Sequence, residues 1–157
     1  MAGLADEIRM TKPFAVQEEE ASLSILRTCE LLQQRTVALI KGFDLTGPQY
    51  NVLRILRGSS PEGLPCGQIS ERMITRDPDI TRLLDRLECR KLIHRTRGDQ
   101  DRRIVVATIT PEGLRLLQEI EPVLVAHHRR QFSTLNKTEL RELIRLLQLV
   151  REGSSSE

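Results

Sequence analysis

Residues 76–113 read RDPDITRLLDRLECRKLIHRTRGDQDRRIVVATITPEG, and the period of this stretch changes midway. In its first part Ile80, Leu83, Leu84 and Leu87 stand at i, i+3, i+4 and i+7, the spacing of a helix with one buried face. Then LIHRTR and RIVVATI follow, two β-rich runs separated by the turn-rich GDQD, which predicts a hairpin. Thr110 is a good N-cap, Pro111 suits the first helical position and Glu112 favours the positive end, so a further helix opens at once.

The outward face of the first helix carries Thr81, Arg82, Asp85 and Arg86, with Asp79 at its front. Arginines one turn apart can fork onto guanine or hold phosphates, but a solvated face laced by i, i+4 pairs has the same composition. The leading acids have a local explanation. Pro78 pushes Asp77 toward extended backbone and itself suits the first helical position, so Asp77 is expected to cap the helix. Asp79 then lies in the first turn, where it gains from the helix dipole, orients Arg82 or accepts from a cytosine amino group.

Upstream, a loose arm of about fifteen residues containing Pro13 precedes a stretch without Gly or Pro from Gln17 to Lys41. Its apolar residues occupy more than one side, which suggests a helix buried on several faces. Thr46 caps the next helix, which carries Val52, Leu53, Ile55 and Leu56, and Gly58 stops it. SPEGLP is a turn cluster, and a short helix over Gly67–Met73 leads to the decisive stretch. Downstream of Thr110 come Leu114, Leu117, Ile120 and Leu124, with Pro122 as a candidate kink. A last helix from about Lys137 carries Leu140, Leu143, Ile144, Leu147 and Val150, and GSSSE reads as a frayed tail.

The expected fold is mainly α with a small β-hairpin wing (α+β): a winged helix-turn-helix between N- and C-terminal dimerisation helices. One domain spans residues 1–157. The winged module takes 45–110, the dimerisation helices take 17–44 and 111–152, and 1–15 and 153–157 are flexible. The apolar stripes of the two ends exceed what a small central module can bury, which favours a homodimer over an intramolecular helical layer.

The 157 residues suffice for one domain with its own core. The net charge of +2 identifies no partner, but ten Lys and Arg stand against six Asp and Glu between Arg72 and Arg103. A locally basic block suits nucleic acid, or an acidic protein partner read by a winged-helix interaction module. Three cysteines without a Cys-x-x-Cys pair argue against a disulfide framework and a structural zinc site. Neither a signal peptide nor the ~18 apolar residues of a membrane span is evident, so the expected compartment is the reducing cytoplasm. No Gly-rich phosphate loop, His-Glu-x-x-His or Gly-x-Ser-x-Gly is present, which argues against an enzyme, and neither cofactor nor metal is expected.

DRR at Asp101–Arg103, the following β run and TPEG at Thr110–Gly113 resemble the wing signature of the MarR family of bacterial transcription regulators, roughly D-x-R, a hydrophobic strand and L-T-x-x-G. LTGPQYNVLRIL, Leu45–Leu56, resembles the helix that precedes that family's DNA-binding module. The resemblance implies a triangular winged-helix dimer on double-stranded DNA, a repressor at a pseudo-palindromic operator with half-sites about one helical turn apart. It implies that Asp77–Arg86 enter the major groove, with Asp77, Asp79, Thr81, Arg82 and Arg86 as contacts. It also implies that Arg103 reaches the minor groove, oriented by Asp101, with Arg102 on the backbone; Arg95 is grouped with them. The chain departs from the family's pattern at Lys91, where relatives carry Gly, at Ile109 for Leu, and at Asp77 and Asp79 for small or hydroxyl residues. A left-handed Lys91 would cost about 1 kcal/mol, unless the helix ends differently.

The resemblance further implies a small aromatic or phenolic effector in a cleft between dimer helices and winged module. The alternative is oxidation of a cysteine in the first helix. Cys29 lies in that helix but does not match the spacing of peroxide-sensing relatives, and free Cys is usually a small hydrophobe. His127 and His128 are adjacent and diverge on a helix, which argues against a metal sensor.

Overall fold

A computed structural model describes residues 3–75, 79–97 and 104–154 of the chain. In order these form α1 (Leu4–Glu7), α2 (Gln17–Lys41), α3 (Gly47–Arg57), β1 (Leu64–Pro65), α4 (Cys66–Arg72), α5 (Ile80–Cys89), β2 (Ile93–Arg97), β3 (Val105–Ile109), α6 (Pro111–Gln131) and α7 (Lys137–Ser154). The architecture is mostly helical with a small antiparallel sheet, as expected for a winged helix. The chain divides into two compact units, residues 1–115 and 116–157.

The first unit is built around α3. Thr46 caps it as expected: its hydroxyl accepts from the Gln49 amide at 3.3 Å, and the Gln49 side chain accepts from the Thr46 amide at 2.9 Å. This reciprocal capping box explains how the polar Gln49 can be buried. Val52, Leu53 and Leu56 of α3 are buried together with Ile69 of α4, Leu83, Leu84 and Leu87 of α5, and Ala107 of β3. Each such leucine contributes about 2 kcal/mol by leaving water. Ile80, expected among them, is only half-buried.

The hairpin pairs Ile93 with Ile109 and Arg97 with Val105. A third strand was not legible in SPEGLP: Leu64 and Pro65 pair with Ala107 and Val106, giving the order β1-β3-β2. Gly63 makes that pairing feasible. Its φ is +84°, and a Cβ there would lie 2.3 Å from the Ala107 carbonyl oxygen.

The TPEG motif fastens the hairpin to the next helix. The Thr110 hydroxyl donates to the Lys91 carbonyl at 2.7 Å and accepts from the Gly113 amide at 3.1 Å. The Thr110 amide donates to the Leu92 carbonyl at 3.1 Å. A Cβ on Gly113 would stand 2.3 Å from the Leu92 oxygen, so the glycine is demanded by close backbone approach rather than by helix propensity.

Two boundaries differ from expectation. The N-terminal arm contains the turn of helix α1, and Glu7 pairs with Arg27 of α2 at 2.8 Å, so the arm is not wholly loose. At the other end α7 continues through Gly153 to Ser154, whose hydroxyl donates to the Val150 carbonyl at 2.9 Å.

In the second unit Leu117, Ile120, Leu124 and His127 form a buried stripe at spacings of three and four along α6. The helix runs through Pro122 without ending there. Asn136 caps α7: its side-chain oxygen accepts from the Thr138 and Glu139 amides at 2.8 and 3.0 Å. No described residue of α7 is buried, and Ile144, Leu149 and Val150 are all at least half exposed. Among the described residues no helix is long and apolar enough to cross a membrane.

Candidate nucleic-acid interface

Helix α5 presents the residues singled out in the sequence. Its buried edge is Leu83, Leu84 and Leu87, so Thr81, Arg82, Asp85 and Arg86 face solvent. The cap is Asp79 rather than Asp77. Regular helix begins at Ile80, and a cap must be the last residue with non-helical backbone; at Asp79, φ is −124° and ψ is 56°. That places the Asp79 carboxylate over the free amide of Arg82, which donates to it at 3.1 Å. Asp77 itself lies outside the described residues.

The same carboxylate holds the Arg82 side chain, with Nε 3.0 Å from Oδ2. Arg82 remains 80% exposed, so the pair is largely wetted and orients the guanidinium more than it stabilises the fold. Thus Asp79 takes the cap expected of Asp77 and also orients the first arginine of the helix.

Arg95, grouped with the DNA contacts in the sequence, is engaged by acids of α5. Its Nε donates to Glu88 Oε2 at 2.9 Å, and its backbone amide donates to Glu88 Oε1 at 3.0 Å. Its Nη2 lies 2.5 Å from Asp85 Oδ1 and 2.7 Å from Glu88 Oε2. Only 20% of the side chain is exposed. Burial works against its charge, yet the bonds from Glu88 and Asp85 outweigh that and hold the guanidinium above its ordinary range.

Behind Arg95 lies a cavity of about 480 Å³ between α4, α5 and β3, whose walls include Cys66, Thr81, Leu84, Ile104 and Val105. Burial pushes the Cys66 thiol up, only partly offset by the charge of Arg95. This cavity is inside the winged module, not in the cleft outside it that the family resemblance suggested. Cys29, the redox candidate, is exposed and accepts from Gln33 Nε2 at 3.4 Å. Among the described residues, no three His, Cys, Asp or Glu side chains group as metal ligands.

The end of α5 resolves the Lys91 departure. Lys91 adopts φ +59°, the left-handed conformation that favours glycine. The Lys91 amide donates to the Glu88 carbonyl at 2.8 Å, and the Leu92 amide to the Leu87 carbonyl at 3.0 Å. These two bonds are a Schellman motif, so the helix ends as it would with glycine, against the strain of a Cβ. Arg90 also reaches back to the carbonyl oxygens of Phe43 and Asp44, beyond the end of α2.

Asp101, Arg102 and Arg103 lie outside the described residues. The structure therefore brings together Asp79, Thr81, Arg82 and Arg86 on one helix and sets Arg95 apart, turned inward. Sequence reading missed the acceptors of Arg95. Asp85 and Glu88 stand at i and i+3, a spacing that could have flagged a receptor for a strand arginine. It also missed Asn51, whose side-chain oxygen accepts from the Ile74 amide at 3.0 Å and ties the residues just after α4 to α3.

Comparison with known proteins gives a consistent result. The MarR family model matches residues 45–105. The chain is 41% identical to a MarR transcription factor from Planctomyces limnophilus, whose crystal structure superposes with a TM-score of 0.68 over 87% of this chain and 99% of that one. It is 29% identical over 106 residues to the HTH-type transcriptional regulator MhqR of Bacillus subtilis, covering 68% of this chain and 72% of the relative. Sco3205, a MarR-family regulator of Streptomyces coelicolor solved in complex with DNA, shares the fold at a TM-score of 0.78 and 23% identity, over 91% of this chain and 92% of that one.

Proposed function

The chain belongs to the MarR family of transcription regulators, and from that premise we propose that it acts as a homodimeric repressor on a pseudo-palindromic operator in double-stranded DNA. The observation that carries this reading is α5 itself. One face is locked in the core, the start is capped, and Arg82 stands exposed and oriented by Asp79. Thr81, Arg82 and Arg86 read base edges in the major groove, with Asp79 near cytosine amino groups and Asp77 at the entry. Arg103 enters the adjacent minor groove, oriented by Asp101, and Arg102 holds the backbone.

Residues 45–110 are the reading module, and 17–44 with 111–152 join the two copies. Unpartnered apolar side chains support this: Leu26 and Val37 of α2 are 65% and 51% exposed, and Ile144 and Val150 of α7 are 57% and 52% exposed. A dimer removes such surface from water. Release follows binding of a small aromatic or phenolic effector, and the cavity of about 480 Å³ within the winged module supports such binding. Nothing in this reading requires a catalytic step, and it places the protein with DNA in the cytoplasm.

Selection from a random duplex library tests it. The expected outcome is a two-fold symmetric site whose log affinity falls linearly with log salt, with Arg103→Ala weakening binding at unchanged fold. An asymmetric site, no enrichment, or an Arg103→Ala variant as tight as the parent would refute it.

A further inference from the structure

We propose that Arg95 is a positioning residue: with Asp85 and Glu88 it clasps strand β2 to helix α5, and so fixes the angle at which wing and reading helix meet the duplex. The inference rests on the DNA-reading function proposed above, and it removes Arg95 from the set of direct DNA contacts.

The geometry is that of a brace. Helix α5 ends at Cys89 and β2 begins at Ile93, so the two elements are joined by a short connection with Lys91 at φ +59°. The helix-to-joint hydrogen bonds end at Leu92, so they do not themselves tie the strand beyond it to α5. Arg95 lies two residues into β2, and Asp85 lies four residues before the end of α5. A link between these points closes a triangle with the joint at its apex.

The chemistry suits a rigid link. Asp85 and Glu88 share a helix face, and a guanidinium is planar with its donors in fixed directions. Three of its contacts fall between 2.5 and 2.9 Å. Glu88 takes two donors at once, the Arg95 side chain and the Arg95 backbone amide. That amide belongs to the outer strand of the sheet, where among the described residues no further strand supplies an acceptor. The clasp therefore holds the strand by its main chain as well as by its charge. A lysine could replace the charge but not this fork.

Electrostatics argues against a direct phosphate contact. The trio carries one positive and two negative charges, so it presents net negative charge to DNA. Its arginine is 20% exposed, whereas Arg82 on the same module is 80% exposed. A residue recruited for phosphate would show the second pattern.

The test uses the full-length protein on its selected operator and on a non-specific duplex, with Arg95→Ala, Arg95→Lys and Glu88→Gln. Each variant is checked by circular dichroism and assayed below its melting temperature. If Arg95 positions the wing, all three lower operator affinity by about tenfold, because a small misalignment of a reading constellation is enough to lose it. The slope of log affinity against log salt stays at its wild-type value, and Arg95→Lys binds the non-specific duplex as the wild type does.

Three outcomes would overturn the inference. A salt slope reduced by about one in Arg95→Ala, with Arg95→Lys restoring affinity, would make Arg95 a phosphate contact. Tighter operator binding by Glu88→Gln would show that the carboxylate only repels DNA. Unchanged affinity in all three would show that the clasp positions nothing. If instead the wild type selects no sequence, the DNA reading itself fails and takes this inference with it, whereas the other outcomes leave that reading standing.

Discussion

Lys91→Gly should stabilise the protein although it removes a side chain and adds backbone freedom. Lys91 holds φ +59°, where an L side chain costs roughly 1–2 kcal/mol and glycine nothing. Glycine gives back about 0.4–1 kcal/mol because it loses more entropy on folding. Lys91 is exposed, so no packing is lost, but its charge near the end of α5 contributes a few tenths of a kcal/mol. The net expectation is a gain of about 0.5 kcal/mol, or roughly 1–2 °C for a chain of this size. Urea denaturation at one fixed protein concentration measures it, as a higher midpoint at unchanged slope. Lys91→Ala is the control: it keeps the strain, loses the charge and should not stabilise. A glycine variant no more stable than the alanine variant would refute the strain argument and with it the left-handed helix ending.

Gly113→Ala should do the reverse of what helix propensity predicts. Alanine is normally better in a helix by about 1 kcal/mol, but here its Cβ would sit 2.3 Å from the Leu92 oxygen, so overpacking should cost about 1–3 kcal/mol in the same denaturation assay. Asp79→Asn keeps a good cap and should leave the melting temperature nearly unchanged; fluorescence anisotropy should show tighter non-specific DNA binding and a smaller operator preference. The Cys66 thiol, raised mainly by burial, should reach its half-maximal rate with iodoacetamide at higher pH than a free cysteine, by mass spectrometry; urea should erase the difference.

What the sequence made legible was whatever depends on period and local chemistry. The spacing of Leu83, Leu84 and Leu87 marked the face of α5, Thr46 marked the start of α3, and TPEG marked the start of α6. The cap of α5 was misplaced by two residues because Asp77 and Asp79 are equally good capping types. Only the backbone decides which of them is the last non-helical residue. The strand Leu64–Pro65 was illegible because two residues carry no period; it exists through Gly63 and its partners on β3. The fate of Arg95 was hidden for a related reason. Its acceptors lie seven and ten residues away across a joint, a distance that no helix or strand period reports.

The acids that lead α5 and line its flank resolve into two devices built from one chemistry. Asp79 with Arg82 is an exposed pair, worth about 0–1 kcal/mol in water, so approaching DNA can take over the arginine at little cost. Asp85 and Glu88 with Arg95 form a trio whose arginine is only 20% exposed and is held at several points, so it should persist when DNA is bound. The first pair holds a reader in its working direction until a better acceptor arrives. The second holds a frame that must not yield. Both reduce the net positive charge shown to phosphates, which weakens indiscriminate attraction and leaves affinity to depend on fitted contacts. In a chain of net charge +2 the reading module gains discrimination this way rather than strength.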